Sequence, residues 1–382
     1  MINIIYVSGP ACIQYDMDIQ LRQHYSFLLY SIGILSMMYS CGVFDRKAHV
    51  AGEKSSQYMN PVFEPILADP TVIRDVKTGS FYAYGTEDNW GDGKGNRLMP
   101  ILKSEDLVHW KEVANVFQDK PHWKDRGGLW APDINKINNQ YVLYYSYSLW
   151  GDPDPGIGVA VANNPDGPFE DRGKLFVSSE VEVPNSIDPS LYEEGNKKFL
   201  FWGSFGDGPS QGIHGIPLTS DGTAVIDLQQ KFKVAAGDWE AAMIHKRDGY
   251  YYLFGSKGSC CEGANSKYHV LVARSKSLKG PYLDRSGKDI NTRGAGTVVL
   301  QGNDKIVGPG HHSKIIKDDK GTDWLLYHAI QKHEGKVSSG ASRRMLMLDK
   351  VIWTAGWPKI GTGEPGQSLE HSPVFKKMKY DN

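Results

Sequence analysis

Five short motifs in this chain carry side chains able to move protons. They are Ala68-Asp69-Pro70-Thr71, Trp130-Ala131-Pro132-Asp133, Ile187-Asp188-Pro189-Ser190, Trp239-Glu240-Ala241-Ala242 and Gly310-His311-His312-Ser313. Taken singly, Asp beside Pro is a common turn, with the carboxylate capping nearby backbone N–H groups. Glu240 reads differently, because a charge set among a tryptophan and alanines seldom serves packing. Taken together, the acids suggest hydrolysis of a glycosidic bond. One carboxylic acid protonates the leaving oxygen and one carboxylate activates water, with about 6.5–9.5 Å between them when the configuration inverts. A third carboxylate beside the acid raises its pKa by like-charge repulsion and keeps it protonated near neutrality. Residue types alone do not assign the roles, and Asp133 reads as structural, closing a turn beneath the site.

Such motifs act together only if the fold gathers them. Each precedes an aromatic strand: Phe81–Thr86, Tyr141–Ser148, Phe199–Phe205, Tyr250–Ser256 and Trp324–Ala329. These runs are short, rich in Tyr, Leu and Phe, and bounded by Gly, Asp, Asn and Pro, with no long helical period. Further strands are expected at Leu102–Trp110, Val159–Phe169 and Val270–Tyr282, and hairpin turns at 138–140, 247–249 and 319–321. The motifs recur roughly every 50–70 residues, the size of a four-stranded blade. The expected fold is all-β, a five-bladed β-propeller over residues 58–382. The innermost strands of a propeller line its axis, so Asp69, Asp133, Asp188, Glu240 and the pair His311/His312 are expected to converge at one end of the channel.

Composition excludes several classes. The 382 residues hold 43 basic and 44 acidic side chains, a formal net charge of −1, which argues against a nucleic-acid partner. The 42 Gly, 20 Tyr and 10 Trp suit many turns and a stacking surface. Phe27–Met38 is apolar but too short to span a bilayer of about 30 Å. Residues 1–40 read as a signal peptide, with Met17 an alternative start. Cys41 in Ser40-Cys41-Gly42 suits a lipidated residue, and 41–57 suits a tether. The expectation is an exported lipoprotein at the periplasm or cell surface, touching membrane only through its lipid; a plain signal peptide and a buried helix are the alternatives. Cys260 and Cys261 give no disulfide framework or metal spacing. They either close a vicinal ring or remain buried thiols, and thiols are the expectation.

The ordered motifs, with Gly258–Tyr268, Val307–His311 and Asp323–Ala329, resemble glycoside hydrolase family 43, in its arabinanase branch, from about Pro61 to Pro358. The resemblance implies inversion on arabinan or another arabinose-containing polysaccharide by a monomer without an organic cofactor. It implies Asp69 as general base, Glu240 as general acid and Asp188 as the residue that orients and tunes the acid. Trp130 and Trp150 match the aromatic walls, and Trp239 is a further candidate sugar contact. His311 matches a histidine that reaches a largely hydrated calcium ion. An exo-acting arabinofuranosidase or β-xylosidase and a non-catalytic carbohydrate-binding propeller are the alternatives. His312 departs from the usual Asn, Ser204–His214 is longer than expected, and Gly237-Asp238-Trp239 replaces the usual lead into the acid.

Overall fold

A computed structural model describes residues 57–376, and the leader and Cys41 lie outside them. Five antiparallel sheets follow one another along the chain. Blade 1 comprises Thr71–Arg74, Phe81–Tyr84, Pro100–Ser104 and Trp110–Asn115. Blade 2 comprises Gly128–Ile137, Gln140–Ser148, Gly156–Ala162 and Glu170–Val177. Blade 3 comprises Ile187–Glu194, Lys197–Gly203, His214–Leu218 and Phe232–Lys233. Blade 4 comprises Glu240–Arg247, Tyr250–Lys257, His269–Ser275 and Thr297–Leu300. Blade 5 comprises Ile306–His312, Asp323–Gln331, Met345–Thr354 and Trp357–Ile360, with Ile316–Lys317 paired beside its second strand.

The apolar residues fall into five clusters, one at each junction between neighbouring blades. Tyr84 and Tyr145 share the first junction and Tyr144 and Trp202 the second. Phe201 packs with Trp239 at the third, Phe254 with Tyr327 at the fourth. Trp324 and Phe81 close the ring between blades 5 and 1. Burying one such side chain contributes about 1.5–3 kcal/mol, and ion pairs such as Lys136–Asp75, Lys246–Glu194 and Arg247–Asp323 add to the apolar area between blades. The first and last of the described segments are also tied together. Val62 N–H donates to the Leu346 carbonyl (2.9 Å), Leu346 N–H to that of Phe63 (3.0 Å), and Gln57–Tyr58 pairs with Glu370–His371.

One backbone feature recurs in every blade. Asp69, Ala131, Asp188, Ala241 and His311 all adopt the left-handed conformation, with φ of 52°, 47°, 57°, 54° and 42°. None is glycine, and such conformations occur mainly where the surrounding structure enforces them. In blades 2 to 5 the pairing register of the innermost strand also shifts at this point. A bulge of this kind turns a side chain off the regular pleat, here toward the end of the axis. The matched positions place Asp133 two residues beyond the left-handed residue and Glu240 one before it.

Candidate active site

The bulges bring Asp69 of blade 1, Asp188 of blade 3 and Glu240 of blade 4 to one cleft of about 670 Å³, which Trp130, Trp150, Tyr268, His311 and Arg344 also line. That volume lies within the range of small-ligand sites.

Asp69 is almost fully buried and surrounded by donors. One Arg344 nitrogen lies 3.1 and 3.0 Å from its two oxygens, and Thr86 Oγ1 donates at 2.5 Å. His311 Nδ1 and His328 Nδ1 each stand 3.3 Å from Oδ1. Burial alone would raise the pKa, but Arg344, then His311 and His328, reverse this and hold it well below the ordinary carboxylate range. Asp69 is therefore an anion. The backbone N–H of Asp69 donates to His328 Nδ1 at 3.0 Å, which fixes that ring.

Glu240 and Asp188 face the opposite situation. Burial raises the Glu240 pKa to about 7; a hydrogen bond from Tyr268 opposes the rise and the charge of Asp69 adds to it. Burial raises Asp188 well above its usual value, and repulsion from Glu240 and Asp69 adds to this. The two carboxyl groups titrate as a pair, and the pair retains a proton near neutrality. The Ala241 N–H bonds the Asp188 carboxylate, and the Asp188 N–H donates to Ser146 Oγ at 2.8 Å. Tyr268 reaches Glu240 because its ring passes over Gly310, where a Cβ would stand 2.1 Å from the ring.

Trp130 and Trp150 form a tilted pair with ring centres 5.7 Å apart on one side of the cleft, and Trp150 is 78% exposed. Trp239, expected to touch sugar, does not line the cleft. It is 0% exposed at the junction of blades 3 and 4, against Phe201 and Leu253. Glu240 turns toward the axis, while the preceding residue points the opposite way into the core, as neighbours along a strand do. Asp133 lies beneath the cleft, accepting from the Leu191 N–H (2.7 Å), Asn135 Nδ2 (2.8 Å) and Lys314 Nζ (3.4 Å). The adjacent cysteines are joined in a disulfide, contrary to the expected thiols; partly exposed on the cleft wall, they lack the apolar surround that would keep two thiols as core.

Arg344, Thr86, Tyr268, His328 and Phe205 are the site residues that sequence reasoning did not single out as such. Tyr268 and His328 fall inside motifs used for the resemblance, and no local signal marks Arg344 or Phe205.

Among the described residues, no three His, Cys, Asp or Glu side chains converge as a metal cluster. Burial lowers the His311 and His312 pKa values to about 3 and 4, so both rings are neutral. His312 Nδ1 lies 3.2 Å from the Ser313 carbonyl, and its Nε2 is buried without a partner. A void of about 20 Å³ lies beside both rings, beneath the cleft, which is room for about one water. Calcium prefers six to eight oxygens and that void is too small for a hydrated ion, so a cation that keeps most of its water fits only in the cleft above, where His311 lines the wall.

The glycosyl hydrolases family 43 profile matches residues 58–358. The chain belongs to this family. Family 43 membership makes it a glycoside hydrolase, and the five blades agree with those of its structural neighbours. The Cellvibrio cellulosa α-L-arabinanase complexed with arabinohexaose superposes with a TM-score of 0.66 at 28% identity, covering 78% of this chain and 96% of that one. Among family 43 relatives, an extracellular exo-α-(1→5)-L-arabinofuranosidase of Cellvibrio japonicus is 32% identical, over 78% of this chain and 86% of its own. An extracellular endo-α-(1→5)-L-arabinanase of Bacillus subtilis is 33% identical, over 77% and 87%.

Proposed function

We propose that this glycoside hydrolase cleaves α-1,5-L-arabinofuranosyl linkages of arabinan with inversion, using Asp69 as base and Glu240 as acid. The observation that carries the reading is the division of protonation within one cleft. Asp69, paired with Arg344, stays ionised, while the Asp188–Glu240 pair keeps a proton. Opposed pKa values in neighbouring carboxyl groups are the mark of an acid and a base.

In the reaction, a water on the Asp69 side gives its proton to the carboxylate as its oxygen bonds the anomeric carbon. The bond from that carbon to the leaving oxygen breaks, and Glu240 supplies the proton the oxygen needs. Each carboxyl group ends in the other protonation state, and exchange with solvent resets both. Asp188 is not the proton donor; its carboxyl group titrates together with that of Glu240, and its bond to the Ala241 N–H holds the acid in place. Trp130 and Trp150 offer flat apolar faces to a sugar ring. His311 would hold a hydrated cation, whose charge would favour the ionised form of Asp69. The extracellular relatives and the leader-like N-terminus support export, with Cys41 as the proposed lipid anchor.

The test is incubation with linear arabinan, following reducing ends and the anomeric configuration of the first product by NMR. The parent is expected to release product of inverted configuration, and Glu240→Gln to release almost none. Retained polysaccharide binding without turnover by the parent would instead identify a binding propeller.

A further inference from the structure

Relatives that act at chain ends and within chains are equally similar to this chain, so similarity does not fix where it cuts. The rim of the cleft does.

Three loops in succession are bonded to one another. Loop 88–96 of blade 1 meets loop 335–343 of blade 5 where Ser338 Oγ donates to the Gly91 carbonyl and Ser339 Oγ to that of Asn89, both at 2.7 Å. Loop 335–343 in turn meets loop 258–268 of blade 4. Ser342 Oγ donates to the Cys261 carbonyl (2.8 Å) and accepts from the Gly263 N–H (3.1 Å). The Cys260–Cys261 disulfide stiffens this corner. Both cysteines line the cleft, with Asp88, Lys336 and Ala341 among the wall residues.

The wall continues past both ends. Glu87 accepts from the Leu129 N–H of blade 2 at 3.0 Å and pairs with Lys120 at 2.9 Å. On the other side, Arg293 of blade 4 donates to the Gly206 carbonyl of blade 3 at 2.7 Å. Between loop 149–156 of blade 2 and loop 204–212 of blade 3 no hydrogen bond or ion pair runs directly, among the described residues; segment 178–186 lies between them, tied to each through Asp154–Ser179 and Asn185–Phe205. Two exposed aromatic side chains stand on these two loops: Trp150, and Phe205 at 41% exposure. Both line the cleft. Asn185 Nδ2 and Gln211 Nε2 hold the Phe205 carbonyl at 3.1 and 2.9 Å, which sets its position. An exposed aromatic fixed at the mouth of a polar cleft suits the apolar face of a sugar.

A polysaccharide lying across a propeller face needs two gaps on opposite sides. Here loops bonded directly to one another wall three consecutive blades, and the two exposed aromatics stand on the other two. We infer that this chain is exo-acting: one end of an arabinan strand enters between Trp150 and Phe205 and stops against the wall of loops 88–96, 335–343 and 258–268. The inference rests on the proposed arabinan hydrolysis and adds its mode.

The experiment uses the purified full chain with linear arabinan, following viscosity, reducing ends and product sizes together. One short product from the earliest time, with viscosity lagging behind reducing ends, is the expected result. A mixture of long fragments with an early collapse of viscosity would overturn the exo mode and leave arabinan hydrolysis standing. No release from linear arabinan would overturn the hydrolytic reading, and the mode with it. Ser338→Ala combined with Ser339→Ala cuts the bond between two walls without touching Asp69, Asp188 or Glu240. At an unchanged Tm it is expected to broaden the product sizes and to raise the viscosity drop per bond cut severalfold. An unchanged product pattern would remove the wall from the explanation. Phe205→Ala is expected to raise KM for oligosaccharides severalfold with kcat held, and an unchanged KM would remove Phe205 from the mouth.

Discussion

Arg344 sets one guanidinium nitrogen against both carboxylate oxygens of Asp69, at 3.1 and 3.0 Å, across 275 residues of chain. Both residues are nearly buried, so each charge depends on the other. Arg344→Met leaves an anion in a dry site, and breaking such a pair costs about 3–5 kcal/mol. Asp69→Asn costs less, about 2 kcal/mol, because Arg344 retains Asp88 at 3.5 Å and an anion is removed from beside Asp188 and Glu240. The double variant is expected to be less destabilised than the sum of the two, and a double-mutant cycle by urea unfolding measures the coupling. Additive effects would contradict the pairing. Asp69→Asn should also abolish turnover.

The pH dependence of catalysis follows from the acid pair. Glu240 must be protonated to act, and its pKa is raised to about 7, so kcat/KM is expected to fall as pH rises through that region. Asp188 titrates together with Glu240, each disfavouring ionisation of the other, and Asp188→Asn removes that coupling. In Asp188→Asn the alkaline limb should therefore move to lower pH and the optimum should narrow. A limb that stays in place would show that Asp188 does not tune Glu240.

The same shift has a signature in stability. A carboxyl group whose folded pKa exceeds its unfolded value, about 4.3 for Glu, binds its proton more tightly when folded. Its contribution is full below pH 4.3 and is lost as pH rises toward 7. Glu240→Gln does not titrate and escapes that loss. Relative to the parent it is expected to gain about 1–2 kcal/mol between pH 4 and pH 8, the shift discounted for partial exposure. Thermal unfolding at the two pH values measures the gain, and equal differences at both would mean that Glu240 titrates normally.

The two tryptophans treated alike in the sequence should separate by experiment. Trp239 fills the junction of blades 3 and 4, and Trp239→Ala should cost about 3–5 kcal/mol as a cavity opens. Trp150 stands in solvent at the cleft, so Trp150→Ala should leave stability within about 0.5 kcal/mol and weaken oligosaccharide binding. Tm and titration calorimetry distinguish the two, and reversed outcomes would invert the assignment.

What the sequence shows and hides has a physical pattern. The blades are legible because the second strand of each is short, aromatic and buried, from Phe81–Tyr84 to Asp323–Gln331. His214–Leu218 escapes because Gly215 and Pro217 weaken its strand signal. The three acids are legible because they recur beside Pro or Ala at the start of a blade. The left-handed backbone that aims them is not, since Ala131 and Ala241 do not favour positive φ, and Asp69, Asp188 and His311, although of types enriched there, adopt it in only a minority of cases. Asp133 is legible as structural, and it does lie beneath the cleft, two residues past the left-handed Ala131. Arg344 is hidden for another reason. Its partner lies a whole ring away in sequence, and only closure of the propeller brings the two together.

Chelation tests the neutral histidines beneath the cleft. The donors near the axis suit only a cation that keeps most of its water, so it contributes little to folding. Dialysis against a chelator is expected to lower kcat modestly, leave Tm unchanged, and be reversed by added calcium. His311→Ala should remove the response to calcium while Asp69 retains Arg344. Full activity after dialysis, with no metal found by elemental analysis, would leave His311 solely as a neighbour of Asp69, 3.3 Å from its carboxylate. A large fall in Tm would instead point to a dehydrated, structural ion held deeper, where Asp133, Asp188 and His312 line the axial void.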